Sequence, residues 1–130
     1  MSTEENKALM RRYCEEVFNE GKPEAEFVGP GYKLHRTWQT SDLPSFTGLH
    51  AEILDQVAEG DKVTSRWSAT LTITGDYKTP WGAVIRAAGK QVTWRWMSID
   101  QIADGKVVEA WVETDPLDFW QQLGAIPKPS

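Results

Sequence analysis

From Gly89 to Gly124 the chain reads GKQVTWRWMSIDQIADGKVVEAWVETDPLDFWQQLG, alternating hydrophobic and polar positions before it changes to a helical spacing. The alternation predicts a strand from Gln91 to about Ile102, a turn on Asp104-Gly105 and a second strand from Val107 to about Thr114. Asp-Gly suits such a turn because both positions accept positive φ angles. On the first strand Val92, Trp94, Trp96 and Ser98 share one face, opposite Thr93, Arg95, Met97 and Ile99. Apolar bulk on both faces implies that something covers each. On the second strand Val107, Glu109, Trp111, Glu113 and Asp115 are expected on one side, and Val108, Ala110 and Val112 on the other. Asp115 precedes Pro116 and the helical PLDFWQQL, the arrangement of a helix N-cap. It also stands at a strand end beside Trp111, where a carboxylate next to an indole can act as an acid or base. The two roles are compatible.

The same periodicities order the rest of the chain. Ser2-Thr3-Glu4-Glu5 matches a capping box, and Met10, Tyr13, Cys14, Val17 and Phe18 recur at helical spacing up to Gly21. Tyr13 reads as a core residue whose hydroxyl can reach a cavity. Pro23 to Val28 allows a short second helix, which Gly29-Pro30-Gly31 then breaks. Tyr32 to Trp38 reads as a short strand, with Tyr32, Leu34 and Arg36 facing one way and Lys33, His35 and Thr37 the other. His35 thus sits on a half-buried element, as a structural histidine or as a proton-transfer group. Gln39 to Gly48 is a loop, and no helix beyond about two turns is expected between Arg36 and Gly48 because Pro44 and Gly48 punctuate it. Leu49 to Val57 and Lys62 to Thr74 form a predicted hairpin around Glu59-Gly60-Asp61, with Trp67 either in the core or in a pocket wall. Gly75 to Gly82 breaks the strand, and residues 83–88 are too short a stretch to assign.

Composition narrows the classes of function. With 130 residues the chain fits one domain. A net charge of -5 opposes a phosphate-binding surface, so nucleic acid is not an expected partner. The charged stretch from Glu4 to Arg12 and the lack of a long apolar run lead to an expectation of a soluble, cytoplasmic protein with no membrane partner. The single cysteine, Cys14, has no internal disulfide partner and reads as a small core residue. His35 and His50 give no metal-ligand spacing, so no metal is expected. Seven tryptophans are many for this length, and cores, interfaces and ligand pockets compete for them.

A helix, a short helix, a strand and then long antiparallel strands argue for an α+β fold with helices on one face of a curved sheet. NKALMRRYCEEVFNEG, GYKLH, AEILDQVAEGDKVTSRWSATLT, GKQVTW and IADGKVVEAWVETDPLDFWQQLG resemble the SnoaL-like polyketide cyclases, also called ester cyclase-like proteins. The resemblance covers most of the chain. It implies a nuclear-transport-factor-2-like cone, a curved antiparallel sheet wrapped around an N-terminal helix, in a single domain over residues 1–130. It also implies cofactor-independent acid/base catalysis of an intramolecular aldol closure on a hydrophobic ketone or ester. The family's catalytic aspartate maps to Asp115 and its histidine after the early strand motif to His35, while Gln101 matches a polar pocket residue. Tyr13, Trp38, Trp67 and Trp111 complete the expected substrate-binding set. A helix that relatives carry after the histidine strand is missing or greatly shortened here.

Two other functions share this fold: a small-molecule-binding module without catalysis, and a dimerisation scaffold whose tryptophans fill an interface. Limonene epoxide hydrolase offers a further chemistry, but Arg95 and Asp100 are out of phase on their strand, so its Asp-Arg-Asp arrangement is not evident. The expected partners are a small hydrophobic molecule and a second copy of the chain, joined through the sheet.

Overall fold

The computed structural model describes residues 2–38 and 43–127. In chain order the elements are α1 (Thr3–Tyr13), a π-helical segment (Cys14–Asn19), a 3-10 turn (Glu24–Glu26), β1 (Val28–His35), β2 (Phe46–Glu59), β3 (Lys62–Ile73), β4 (Tyr77–Lys78), β5 (Val84–Ile85), β6 (Gln91–Ala103), β7 (Lys106–Thr114) and α2 (Pro116–Leu123).

The capping box closes the start of α1: Glu5 N donates to Ser2 Oγ at 3.1 Å, and Ser2 N donates to Glu5 Oε1 at 3.2 Å. Leu9, Met10 and then Cys14 are buried along the inward stripe. Burial pushes the Cys14 thiol up to about 11, consistent with a packing residue. Beyond Tyr13 the helix widens. Asn19 at the end of that π-helical segment bonds the backbone of Ala51 twice, donating to its carbonyl at 2.9 Å and accepting from its N–H at 2.7 Å. The side-chain amide thereby ties the helix to β2.

The main sheet runs in the order β1-β7-β6-β3-β2. Pairs β2–β3, β3–β6 and β6–β7 are antiparallel, but β1 runs parallel to β7. The curved antiparallel sheet expected from the sequence is found, with one parallel pair at this edge. No hairpin links β1 to β7, and only a long crossover connection permits a parallel pair. β1 also begins earlier than its periodicity indicates, passing through Gly29-Pro30-Gly31 where a break was expected. Gly29 lies so near β7 that a Cβ there would meet Val108 Cγ1 at 3.2 Å. The register of β1 slips between Val28 and Lys33, which absorbs the irregular residues.

A second slip changes a face. Gln101 pairs with Glu109, yet Ile102 pairs with Val107, so β7 carries a bulge at its start. Val107 therefore turns inward with Ala110, both buried, and not outward with Trp111 as simple alternation predicts. Arg36–Trp38 and Leu43–Ser45 contain no helix, while residues 39–42 of the predicted loop lie outside the described residues. The unassigned 83–88 stretch contributes β5, which pairs with β4 as a small separate hairpin.

Both helices pack on the concave face of the sheet, α1 on β2 and β3 and α2 on β6. The Gln122 side chain anchors α2 by bonding the N–H and C=O of Thr93 at 2.8 and 2.7 Å. Two apolar clusters result, one around Met10, Trp67 and Val107 and one around Ile73, Trp94 and Leu123. Trp96 and Leu49 border both. No described helix is long and apolar enough to cross a membrane.

Candidate functional site

Between α1 and the concave face the two clusters leave a cavity of about 410 Å³, within the ~300–1,000 Å³ typical of small-molecule sites. Alternation builds its walls. β6 turns Trp94, Trp96, Ser98 and Asp100 inward, β3 adds Trp67, Ala69 and Leu71, β1 adds Tyr32 and Leu34, and Arg36 follows just beyond the end of β1. The π-helical segment supplies Val17 and Phe18. Trp67 and Trp96 stack at 5.3 Å with an interplanar angle of 13°, and Trp38 meets Trp94 edge-on at 5.0 Å. The cavity wall is thus largely aromatic, with few charged groups.

Glu24, Arg36 and Asp100 are the charged side chains on that wall, and of these Asp100 is buried, only 5% exposed. A buried chain of donors holds one of its oxygens: Trp67 Nε1 donates to Ser98 Oγ at 2.9 Å, and Ser98 Oγ donates to Asp100 Oδ2 at 2.7 Å. Oδ1 has no protein hydrogen bond among the described residues. Burial lifts the carboxyl to about 6, against the opposing pull of the Ser98 hydrogen bond. A carboxylate tuned toward neutral pH is a competent base, and its conjugate acid can return the proton. Two phenols stand near it. Tyr13 donates to Glu24 Oε1 at 2.7 Å, and burial together with that bond holds its pKa far above the usual phenol value. Tyr32 is pushed up to about 12, first by burial, with Glu24 and Asp100 adding and Arg36 opposing. Among the described residues no three His, Cys, Asp or Glu side chains converge as a metal set.

Tyr13, Trp38 and Trp67 line the cavity. Asp115, His35, Gln101 and Trp111 are placed elsewhere. Asp115 is exposed at the N-cap of α2, where its Oδ1 accepts from Asp118 N at 3.1 Å. It shares the phase of Trp111, and that phase lies on the outer face of the sheet. His35 is on the same outer face, with Nε2 2.6 Å from Glu109 Oε2 and its ring stacked on Trp111 at 5.4 Å. Gln101 donates to Asp61 Oδ2 at 2.9 Å, also away from the cavity. The physical reason is common to all four: each occupies the strand phase opposite to the one the helices cover, or sits beyond the strand end.

Asp100, Ser98, Tyr32 and Arg36 escaped the sequence reading, although a signal was present. The face defined by Val92, Trp94, Trp96 and Ser98 continues in phase to Asp100 and Ile102, so an ionisable residue falls on the most aromatic strand face in the chain. For Asp115 the structure supports a cap alone. Asp115→Ala is expected to lower stability by about 1 kcal/mol, the usual effect of removing a cap. In urea unfolding a loss above about 3 kcal/mol would contradict that role.

The sequence profile described as SnoaL-like polyketide cyclase matches residues 2–123. No curated protein sequence matches the chain. Several solved structures share its fold. AclR from Streptomyces galilaeus, provisionally called a hydroxylase, superposes with a TM-score of 0.78 at 23% identity, covering 99% of this chain and 87% of AclR. TsrD from Streptomyces laurentii gives a TM-score of 0.73 at 22% identity, covering 97% of this chain and 99% of TsrD. IdmH from Streptomyces antibioticus, provisionally called a polyketide cyclase, gives 0.69 at 20% identity over 92% of this chain and 98% of its own. At such identities the structural likeness speaks for the fold.

Proposed function

Because the chain belongs to the SnoaL-like polyketide cyclase family, we propose that it closes rings on an apolar, polycyclic or aromatic ketone without a cofactor, with Asp100 as its acid and base. The observation that supports this most is the Asp100 carboxylate, buried at a cavity rich in aromatic side chains, with Oδ2 held by Ser98 and Oδ1 without a hydrogen bond among the described residues. Oδ1 removes a proton from carbon adjacent to a carbonyl, and the electron pair passes to the enolate. The enolate carbon attacks a second carbonyl of the same molecule, forming a carbon–carbon bond and an alkoxide. Asp100 then returns its proton to that alkoxide, so nothing is lost or gained. An extended conjugated substrate acidifies its own C–H and narrows the gap to a carboxylate base. The apolar wall favours the neutral acid and sets the carboxyl near the working pH.

The test uses 2-tetralone, a bicyclic apolar ketone, in D2O, with exchange of its C1 hydrogens followed by proton NMR. The expected result is exchange faster than buffer, rising with pH through about 6 as Asp100 ionises, and lost in Asp100→Asn. No acceleration by the wild type, or an unaltered rate in the variant, would overturn the assignment. Ligand binding with no exchange would favour the alternative of a non-catalytic binding module.

A second copy of the chain is proposed as the partner. Both helices cover the concave side, whereas the outer face exposes Val57 (68%), Met97 (50%) and Ile99. Val57, Thr64, Ile99, Trp111 and His35 lie in one cross-strand row, a continuous largely apolar strip. The adjoining row carries Asp55, Arg66 and Glu113 around Met97, charges of both signs that a two-fold pairing can match. Light scattering at high micromolar concentration is expected to give twice the chain mass, and a monomer after Ile99→Lys. A monomeric wild type would refute the pairing.

A further inference from the structure

Opposite Asp100, across β7, Tyr32 of β1 and Arg36 just beyond its end present polar side chains to the cavity that the proton transfer above does not use. Leu34 pairs with Ala110 and Ala110 with Asp100, so these three form a cross-strand row with the smallest side chain in the middle. Tyr32 and Arg36 stand one inward position to either side of Leu34 and border the cavity. Strands lie ~4.8 Å apart, so β1 and β6 are ~10 Å apart over the Ala110 methyl group. That gap accommodates a carbonyl and its neighbouring carbon between side chains reaching in from both strands.

Neither group has a hydrogen-bonding or ionic partner among the described residues. The Tyr32 hydroxyl makes no hydrogen bond among the described residues, whereas Tyr13 donates to Glu24 and Tyr77 accepts from Trp120. Arg36 makes no salt bridge among the described residues, and its guanidinium lies over the Trp38 ring at 5.0 Å. Tyr32, Arg36 and Asp100 border the same cavity, as does the Glu24 carboxylate that accepts from Tyr13. Held up to about 12, the Tyr32 phenol keeps its proton near neutral pH, where Asp100 is ionised.

We propose that Tyr32 and Arg36 form the oxygen-binding subsite of the cavity, in which the ketone lies over Ala110 with its α-carbon toward Asp100 and its oxygen toward the Tyr32 hydroxyl. This rests on the acid/base reading of Asp100. As the α C–H bond breaks, the proton goes to Asp100 Oδ1, the bonding pair becomes the enolate double bond, and the carbonyl electrons move to oxygen. There Tyr32 donates its hydrogen bond, and the positive charge of Arg36 offsets the new negative charge. An enolate oxygen accepts more strongly than a carbonyl, so the contact strengthens toward the transition state. The substrate class narrows accordingly: a ketone with one oxygen facing β1 and its apolar body against Trp94 and Trp96.

The test employs 2-naphthol, a planar stand-in for the enol of 2-tetralone, and naphthalene, the same body without oxygen, both by equilibrium dialysis. Wild type is expected to prefer 2-naphthol by ~10-fold, the worth of one buried hydrogen bond. Tyr32→Phe should abolish that preference and leave naphthalene affinity and melting temperature unchanged. In 2-tetralone exchange the same variant should lose ~100-fold in kcat with little change in KM. Arg36→Met should also lower kcat, with partial recovery in Arg36→Lys. If Tyr32→Phe keeps both the preference and the exchange rate, the subsite is refuted, even where Asp100→Asn is inactive and the Asp100 assignment stands. If Asp100→Asn still exchanges while Tyr32→Phe loses the preference, the acid/base reading fails and oxygen binding at Tyr32 survives. Equal wild-type affinity for the two probes overturns the subsite outright.

Discussion

Asp100→Asn is expected to make the protein more stable at pH 8 and, in the same variant, inactive in proton exchange. Burial lifts the Asp100 carboxyl from 3.8 to about 6. Between those values the folded chain keeps a proton that the unfolded chain has released. The stability linked to that proton is fully present below about pH 4 and is lost as pH rises through about 6. At pH 8 an ionised Asp100 therefore costs the fold about 3 kcal/mol, since each tenfold change in an ionisation constant is worth ~1.4 kcal/mol. Asparagine carries no charge, and its amide oxygen can still accept from Ser98. Urea unfolding should show the variant ahead by about 2–3 kcal/mol at pH 8 and level with the wild type at pH 4. Equal stability at both pH values would show that Asp100 is better solvated than its burial implies. The exchange rate should meanwhile fall by ~10²–10⁴, the range of a lost general base. Gaining stability while losing activity is the behaviour expected where a fold retains a strained group for chemistry.

Trp67→Ala is expected to lower stability by about 3–5 kcal/mol, as for other large-to-small core changes. The indole is 2% exposed and touches Trp96, Phe18 and Tyr13 at centroid distances of 5.3, 5.6 and 6.4 Å. Its removal joins a new void to the existing cavity and deprives Ser98 Oγ of its donor. Against a total stability of ~5–15 kcal/mol the loss is large. Trp67→Phe separates the two effects, keeping most of the packing and deleting only the N–H. Ser98 is then free to reorient, and the midpoint of the pH–exchange profile should move upward. A loss below about 1 kcal/mol in Trp67→Ala would mean that the aromatic stack is not the central support of the fold.

Local signals were legible wherever one short stretch contained the whole physical cause. The Ser2 capping box, the Lys62 strand, the turn at Asp104-Gly105 and the helix from Pro116 to Gly124 each rest on neighbours in sequence, and each is found in the structure. Elements that depend on a distant strand were less legible. β1 continues through Gly29-Pro30-Gly31 only because β7 lies alongside it, and the inward turn of Val107 comes from a bulge that exists only in the pairing with β6.

The candidate site divides along the same line. Sequence alone determined that Trp94, Trp96, Ser98 and Asp100 share a face, because a strand repeats every two residues whatever surrounds it. It likewise put Asp115 in phase with Trp111, and Tyr32 in phase with Arg36. A period of two defines two faces and does not label either as the inside. The tertiary structure made that choice by placing α1 and α2 on one side of the sheet, which enclosed Asp100 and left His35, Trp111 and Asp115 outside. It also brought β1 next to β7, setting Tyr32 and Arg36 across Ala110 from Asp100. Residues 32, 36 and 100 have no local relation that a pattern can reveal, and only the pairing of β1 with β7 under the covering helices gives them one cavity.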